Sequence, residues 1–302
     1  MRLDAMVRAQ HQVSWGKARG WIETGKIWFE GRPITDTSFE VLESATIELK
    51  MNSPRKPGVE KQKLSKSRVF YCDTQLIVIN KPAGQSTVPF EDGESGSLEQ
   101  DVREYLNQTR VGIVHRLDRD TSGLLVFART SSAEKALASQ FRSHTVMRRY
   151  FALVQGTVQS QTFRSTILDD RGDGLRGSLP EGSRLSRDLG REAITHVVCL
   201  DQFNGCSLIE CRLETGRTHQ IRIHLSEAGH PLLGEKAYIR EYTGPRREAP
   251  RMMLHAAELG FEHPTRNAPM RWAELPPEDF MSLLSEDAQG LLGQCLRLTK
   301  SQ

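Results

Sequence analysis

The sequence predicts an α+β protein in which a mixed sheet with flanking helices follows a small, separate N-terminal α/β unit. Three observations lead there. Beyond residue 68, strand-like and helix-like segments alternate without the regular period of a doubly wound βαβ fold. A polar stretch from Met51 to Lys66, with two prolines and a glycine but no hydrophobic periodicity, interrupts the chain. The 302 residues suffice for one large domain and one small one. The expected division is therefore 1–50, a linker at 51–67, and a main domain at 68–302.

The elements follow in order. Leu3 to Ala9 is helical in pattern, and Ser14 is placed to cap a second helix running through Ile22, with Gly25 as its stop. Lys26 to Phe29 alternates as a short strand before a turn at Glu30-Gly31, and Val41 and Ala45 to Leu49 suggest further strands. In the main domain, Val69 to Cys72, Leu76 to Asn80, Val111 to Val114, Leu124 to Phe127 and Tyr150 to Val154 are strand-like. Ser131 with Glu134 reads as a capping box opening a helix to about His144. The Gly-, Asp-, Ser- and Arg-rich stretch Asp169 to Arg191 reads as a surface insertion.

Composition excludes several classes. A hydrophobic fraction of 37% and a charged fraction of 26% describe an ordinary soluble chain, and no apolar run approaches a membrane span. MRLDAMVRAQ lacks the apolar core and cleavage site of a secretory leader. The five cysteines are odd in number and lack CxxC spacing, and the nine histidines show no ligand spacing. Reduced thiols, a cytoplasmic location, a monomer and no metal are the expectation. GxxxxGK[ST], a strand-linked GxGxxG, HExxH and GxSxG are absent, so no nucleotide cofactor is expected. The net charge is only +3, yet Lys50 to Arg68 holds seven basic residues against one acid. Such a run is either a solvated linker or a phosphate-tracking segment.

Two segments carry candidate chemistry. In VHRLDRDTSGLLVFART, Asp118 sits in a polar loop between apolar strands, beside His115, Arg116 and Arg119, with Thr121 following. Loops held by rigid strands are common seats of catalytic groups, and nearby cations keep an aspartate ionised. On residue types alone, a loop acid paired with local arginines is the favoured reading. In ECRLETGRTHQIRIHL, the alternation ends at Thr215-Gly216 and a helix opens near Thr218, with Gly229 as its stop. Arg217 then lies at a strand-to-helix corner suited to an anion. Arg217, His219, Gln220, Arg222 and His224 favour a functional face there over scattered surface charge.

Taken together, NKPAG, HRLDRDTSGL, RRYFALVQG, GREAIT, ETGRTHQIRIHL, GHPLLGEKAY and LHAAELGFEHP resemble the RluA-type family of pseudouridine synthases. The resemblance covers roughly residues 68 to 280. It implies a largely antiparallel sheet with a central cleft, and a cofactor-free conversion of uridine to pseudouridine in RNA. It assigns the catalytic carboxylate to Asp118, its pairing arginine to Arg217, and the aromatic stacked on the base to Tyr150. The expected substrate contacts are His115, Arg116, Arg119, Thr121, His219, Gln220 and Arg222. The N-terminal unit resembles the alpha-L RNA-binding module of a ribosomal small-subunit protein, although Trp15 follows Ser14 where that pattern has arginine. Its expected RNA contacts are Arg2, Ser14, Lys17, Arg19 and Lys26.

The appended module points to large-subunit ribosomal RNA over transfer RNA. A non-catalytic RNA-binding assembly factor would need no combination of Asp118, Tyr150 and Arg217. A methyltransferase would need a cofactor pocket that no glycine-rich signature supports.

Overall fold

A computed structural model of the chain describes residues 1–37, 39–52, 64–89, 96–171, 175–179, 190–239 and 241–300, the last four of these by backbone alone. Most of the expected linker and of the insertion at 169–191 lies outside these residues. The chain divides into two compact units, Met1–Gln62 and Lys63–Gln302.

The N-terminal unit packs α1 (Leu3–His11) and α2 (Trp15–Glu23) on a sheet ordered β2-β1-β3, from β1 (Ile27–Phe29), β2 (Arg32–Pro33) and β3 (Ile47–Leu49). Leu3, Met6 and Val7 recur at helical spacing and meet Ala18, Trp21 and Ile22 in one buried cluster. The Ser14 side chain caps α2 by accepting from the Lys17 backbone N–H at 3.2 Å. Val41 is not a strand residue. Its N–H donates to Met1 O, and the neighbouring bridge joins Arg2 to Glu40.

The larger unit runs β4 (Val69–Cys72), β5 (Leu76–Lys81), α3 (Leu98–Leu106), β6 (Gly112–Ile113), β7 (Ser122–Ala128), α4 (Ser131–Arg142), β8 (Met147–Gln155), β9 (Gln161–Leu168) and β10 (Gly177–Ser178). It continues with β11 (Gly190–Phe203), β12 (Cys206–Leu213), α5 (Gln220–Glu227), β13 (Leu254–Glu262), β14 (Pro269–Ala273), α6 (Glu278–Met281) and α7 (Glu286–Lys300). The main path of the sheet is β10-β9-β11-β12-β8-β13-β7-β5-β4, with β6 on β7 and β14 on β13. Among the described strands, only β7 and β13 pair in parallel.

Every residue of β7 is buried because helices cover both faces of the sheet there. Leu125 and Phe127 join Leu98 and Val102 of α3 on one face. Leu124 and Val126 join Ala133 and Leu137 of α4 on the other. A strand buried on both sides reads as a continuous apolar run. In β8, Tyr150, Ala152 and Val154 line the α3 face, whereas Phe151 and Leu153 pack under Leu292 and Leu296 of α7.

Two local expectations are corrected. Thr130, not Ser131, caps α4, accepting from Ala133 N at 3.2 Å. Glu134 is drawn away by Arg110 at 2.8 Å, so no reciprocal box forms. The expected linker also ends too late. Leu64 is 5% exposed within the main core, and Arg68 donates to Asn80 O and Gln85 Oε1.

The parallel seam depends on Gly123. Its φ is +119°, and a Cβ there would overlap the Ala256 backbone. Gly123→Ala is therefore expected to cost about 3 kcal/mol or more, combining conformational strain with a clash. Gly205→Ala, at φ +73° with nothing near its Cβ, is expected to cost only about 1 kcal/mol. Urea denaturation of both variants checks the difference.

Candidate active site

Asp118 occupies the loop between β6 and β7, and the protein fixes that loop from four sides. Thr87 Oγ1 donates to Leu117 O at 2.7 Å and accepts from Leu117 N at 3.2 Å, clamping both backbone groups of the preceding residue. The Asp118 carbonyl closes a turn with Thr121 N at 3.1 Å. Ser122 Oγ lies 2.9 Å from His255 Nδ1 on β13. Arg251, paired with Asp279, donates to Asp120 O at 3.3 Å.

The fourth support is Lys81, at the end of β5 and fully buried. Its Nζ donates to Pro82 O, Gln85 O and Arg119 O at 2.8–2.9 Å. Burial lowers its pKa to about 7, against the attraction of Asp120 and Asp118. Three carbonyl acceptors require three N–H donors, so the bonded form is the ammonium.

The partner of Asp118 differs from expectation. Arg222 Nη1 donates to Asp118 Oδ2 at 3.1 Å, while Arg217 turns away and donates through Nε to Glu192 O at 2.8 Å. The helix opens at Gln220, not Thr218, with His219 in a left-handed conformation at φ 59°. That places Arg222 within the first turn of α5 and leaves Arg217 on the strand side of the corner. Arg222 is itself gripped by Glu235, Nε to Oε2 at 2.8 Å and Nη2 to Oε1 at 2.9 Å. Glu235 Oε1 also accepts from the backbone N–H groups of Lys236, Ala237 and Tyr238. Gly234, at φ +75°, makes this turn possible, because a Cβ would overlap the Arg251 carbonyl.

The electrostatics follow from this row of minus, plus and minus. Burial alone would raise the Asp118 pKa, but His219, Arg222 and Lys81 hold it below its ordinary value. His219 is pushed down to about 4 by burial, so it is neutral near pH 7 and Arg222 carries the effect there. Burial likewise opposes Arg222, yet Glu235 and Asp118 raise it further. The result is an ionised carboxylate, aimed by a charge-assisted hydrogen bond.

The remaining expected residues divide. Tyr150 is 8% exposed, shares the core with Leu117 and Ile221, and titrates upward through burial, with Arg148 opposing and Asp118 assisting. His219 comes within 3.8 Å of Asp118 and lies 2.7 Å from the Tyr238 hydroxyl. Arg116 and Arg119 are exposed, and Arg119 Nε reaches Gly84 O at 3.1 Å. Thr121 is buried at the loop turn.

His115 and Gln220 have structural duties. His115 Nε2 accepts from Val126 N where β6 leaves β7, and its ring stacks on Phe141. Gln220 Oε1 accepts from Thr215 and Arg217, and its Nε2 donates to Ile194 and Thr195. Both therefore hold the corners that present Asp118 and Arg222. Sequence reasoning passed over Lys81, Thr87 and Glu235; NKPAG and LLGEKAY were the signals available.

In the N-terminal unit, Arg2 and Arg19 both bind the buried Asp4 carboxylate, at 2.7 and 2.9 Å. Ser14 caps α2, Lys17 is exposed over the Trp21 ring, and Lys26 is half-buried. The Arg8 and Arg19 guanidinium groups both lie over the Trp15 ring, 5.0 and 5.3 Å from its centre. Among the described residues, no cluster of His, Cys, Asp and Glu could hold a metal, and no helix is long and apolar enough to cross a membrane.

Residues 75–227, which contain Asp118, Tyr150 and Arg222, match the family model described as RNA pseudouridylate synthase. The chain belongs to this family. A Pseudomonas aeruginosa protein named ribosomal large subunit pseudouridine synthase D is 33% identical over 97% of this chain and 94% of its own length. A protein of the same name from Neisseria meningitidis is 38% identical over 72% of this chain and 60% of its own. The solved human RNA pseudouridylate synthase domain containing 1 superposes with a TM-score of 0.59 at 27% identity, covering 76% of this chain and 94% of that one. The chain is thus an RNA pseudouridine synthase, an isomerase acting on uridine within RNA.

The ion pair makes a pH prediction for this synthase. With Arg222 present, Asp118 stays charged to below the ordinary carboxylate range, so its protonation leaves the rate flat through mildly acidic pH. In Arg222→Gln, burial is opposed only by Lys81 and, in acid, by protonated His219. The acid limb of kcat is expected to move up toward neutral pH. Single-turnover rates between about pH 4 and 8 check the shift, with circular dichroism confirming that the variant is folded.

Proposed function

We propose that this synthase modifies uridines in large-subunit ribosomal RNA, acting in the cytoplasm as a monomer, with Asp118 as the catalytic carboxylate. The observation that carries the role of Asp118 is its 3.1 Å bond to an arginine that is itself anchored by Glu235. The ribosomal target is supported by the names of relatives that align along most of this chain.

The reaction breaks the bond between base nitrogen and sugar, turns the base, and rejoins it through carbon. Nothing is oxidised, and no group enters or leaves. An ionised carboxylate can act as nucleophile on the base or the sugar, or as a base toward a sugar proton. Arg222 keeps it charged and oriented. Tyr150 packs against the target base, which must leave its stack to be reached. Asp118→Asn keeps nearly the same shape and leaves the Arg222–Glu235 pair in place. It is expected to abolish turnover while RNA affinity stays within about threefold, roughly 0.7 kcal/mol. Tritium release from RNA labelled at uracil carbon five measures turnover, and filter binding measures affinity. Mapping pseudouridine in ribosomal and transfer RNA from a strain lacking the protein tests the target; loss confined to transfer RNA would overturn the ribosomal reading.

The N-terminal unit serves affinity and target choice. Its exposed Lys17 and the cations around Trp15 support that role. Arg2 and Arg19 act by holding Asp4 and so fixing the helices. A protein beginning at Lys63 retains Leu64 and Arg68 for the main core. It is expected to bind its full substrate more weakly, with a shallower salt dependence, and still to modify a short RNA slowly. Unchanged affinity and salt slope with a lower Tm would assign the unit to stability alone.

A further inference from the structure

Arg148, Arg191 and Arg217 form a guanidinium cluster without a carboxylate bonded to it among the described residues. Arg148 extends from the start of β8, is 9% exposed, and donates through Nη2 to Glu214 O and Thr215 O at 3.3 Å. Its Nε is buried with no hydrogen-bond partner. Burial lowers its pKa, and the nearby charge of Arg217 lowers it further. Arg217, at the strand-to-helix corner, is depressed first by burial and then by Arg191 from β11. Glu192, which partly offsets the charge of Arg217, has its carboxylate engaged by Arg164 at 2.9 Å, and the Glu214 carboxylate lies 2.7 Å from His196.

Three like charges held together, one of them nearly dry and with an unmet donor, are unfavourable in the unliganded protein. Such an arrangement is relieved by a bound anion. The geometry also leaves an approach. Gly216 is exposed and lies over Arg148, where a Cβ would overlap Nη1. The absence of a side chain there keeps the guanidinium edge within reach of a ligand above the corner. The cluster adjoins the chemistry, because Arg148 and Tyr150 share one face of β8 and Tyr150 is electrostatically coupled to both Arg148 and Asp118.

We propose that Arg148, Arg191 and Arg217 bind a backbone phosphate of the RNA next to the uridine held at Asp118 and Tyr150. The inference rests on the synthase reading and adds a subsite to it. A phosphate receives two or more guanidinium donors at once, which fixes the backbone on one side of the target nucleotide. Arg217, freed from pairing with Asp118, thereby gains a substrate-positioning role.

The test uses full-length protein and single-stranded oligonucleotides from any RNA it modifies in vitro. In one series, each linkage in turn is an uncharged methylphosphonate. With the wild type, neutralising one linkage beside the target uridine is expected to weaken binding about tenfold, the loss of one charge-assisted contact. In Arg217→Gln the same linkage should cost less than about twofold, because its partner is already gone. The slope of log Kd against log salt should flatten by about 0.7, the contribution of one phosphate on a single strand. Arg148→Gln should behave alike. Gly216→Ala, which displaces that guanidinium without removing its charge, provides a second route should Arg148→Gln fail to fold. Wild-type salt slopes and methylphosphonate profiles in Arg217→Gln and in either variant at Arg148 would overturn the proposal. A modified RNA other than ribosomal would overturn the ribosomal target and leave this subsite standing.

Discussion

Arg222 sits between two carboxylates, and much of the site depends on that position. A guanidinium buried beside a single aspartate would be free to turn away, and the aspartate would then face its burial unopposed, with a raised pKa. Glu235 removes that freedom by taking two of the guanidinium nitrogens, so the third points at Asp118. Glu235 is in turn immobilised by three backbone N–H groups of its own turn. The positioning of Asp118 Oδ2 thus traces back to the peptide backbone of that turn.

The sheet supplies the distances. Tyr150 on β8 has Cys211 of β12 on one side and Ala256 of β13 on the other. Gly123, five residues after Asp118, pairs with the same Ala256. Neighbouring strands lie about 4.8 Å apart, so these pairings fix Tyr150 relative to the start of β7, where the Asp118 loop ends. Helices on both faces leave the sheet little freedom to change that spacing.

Local features were legible in the sequence, whereas features made by distant contacts were not. Ser14 caps α2 as its pattern predicts, since an N-cap involves only neighbours in the chain. Asp118 could be placed because apolar strands bracket it. The choice of Arg217 over Arg222 failed because it turned on where α5 begins, and a shift of two residues changes which side chain points inward. His115 and Gln220 looked like substrate contacts because their bonds go to backbone and side-chain groups no pattern displays. No sequence pattern marks Lys81 as buried, and only the convergence of three carbonyls explains a fully buried lysine. The N-terminal arginines show the same limit, since the burial of Asp4 could not be seen from spacing.

The parallel seam between β7 and β13 bears on when the enzyme becomes competent during synthesis. Ser122 and its partner His255 are 133 residues apart in the chain, and Arg222 is 104 residues from Asp118. Translation at about 5–20 residues per second separates such partners by several seconds. Until the later strand has left the ribosome, the loop around Asp118 lacks its neighbour and its arginine. A nascent chain can therefore complete its N-terminal unit well before it can isomerise a uridine.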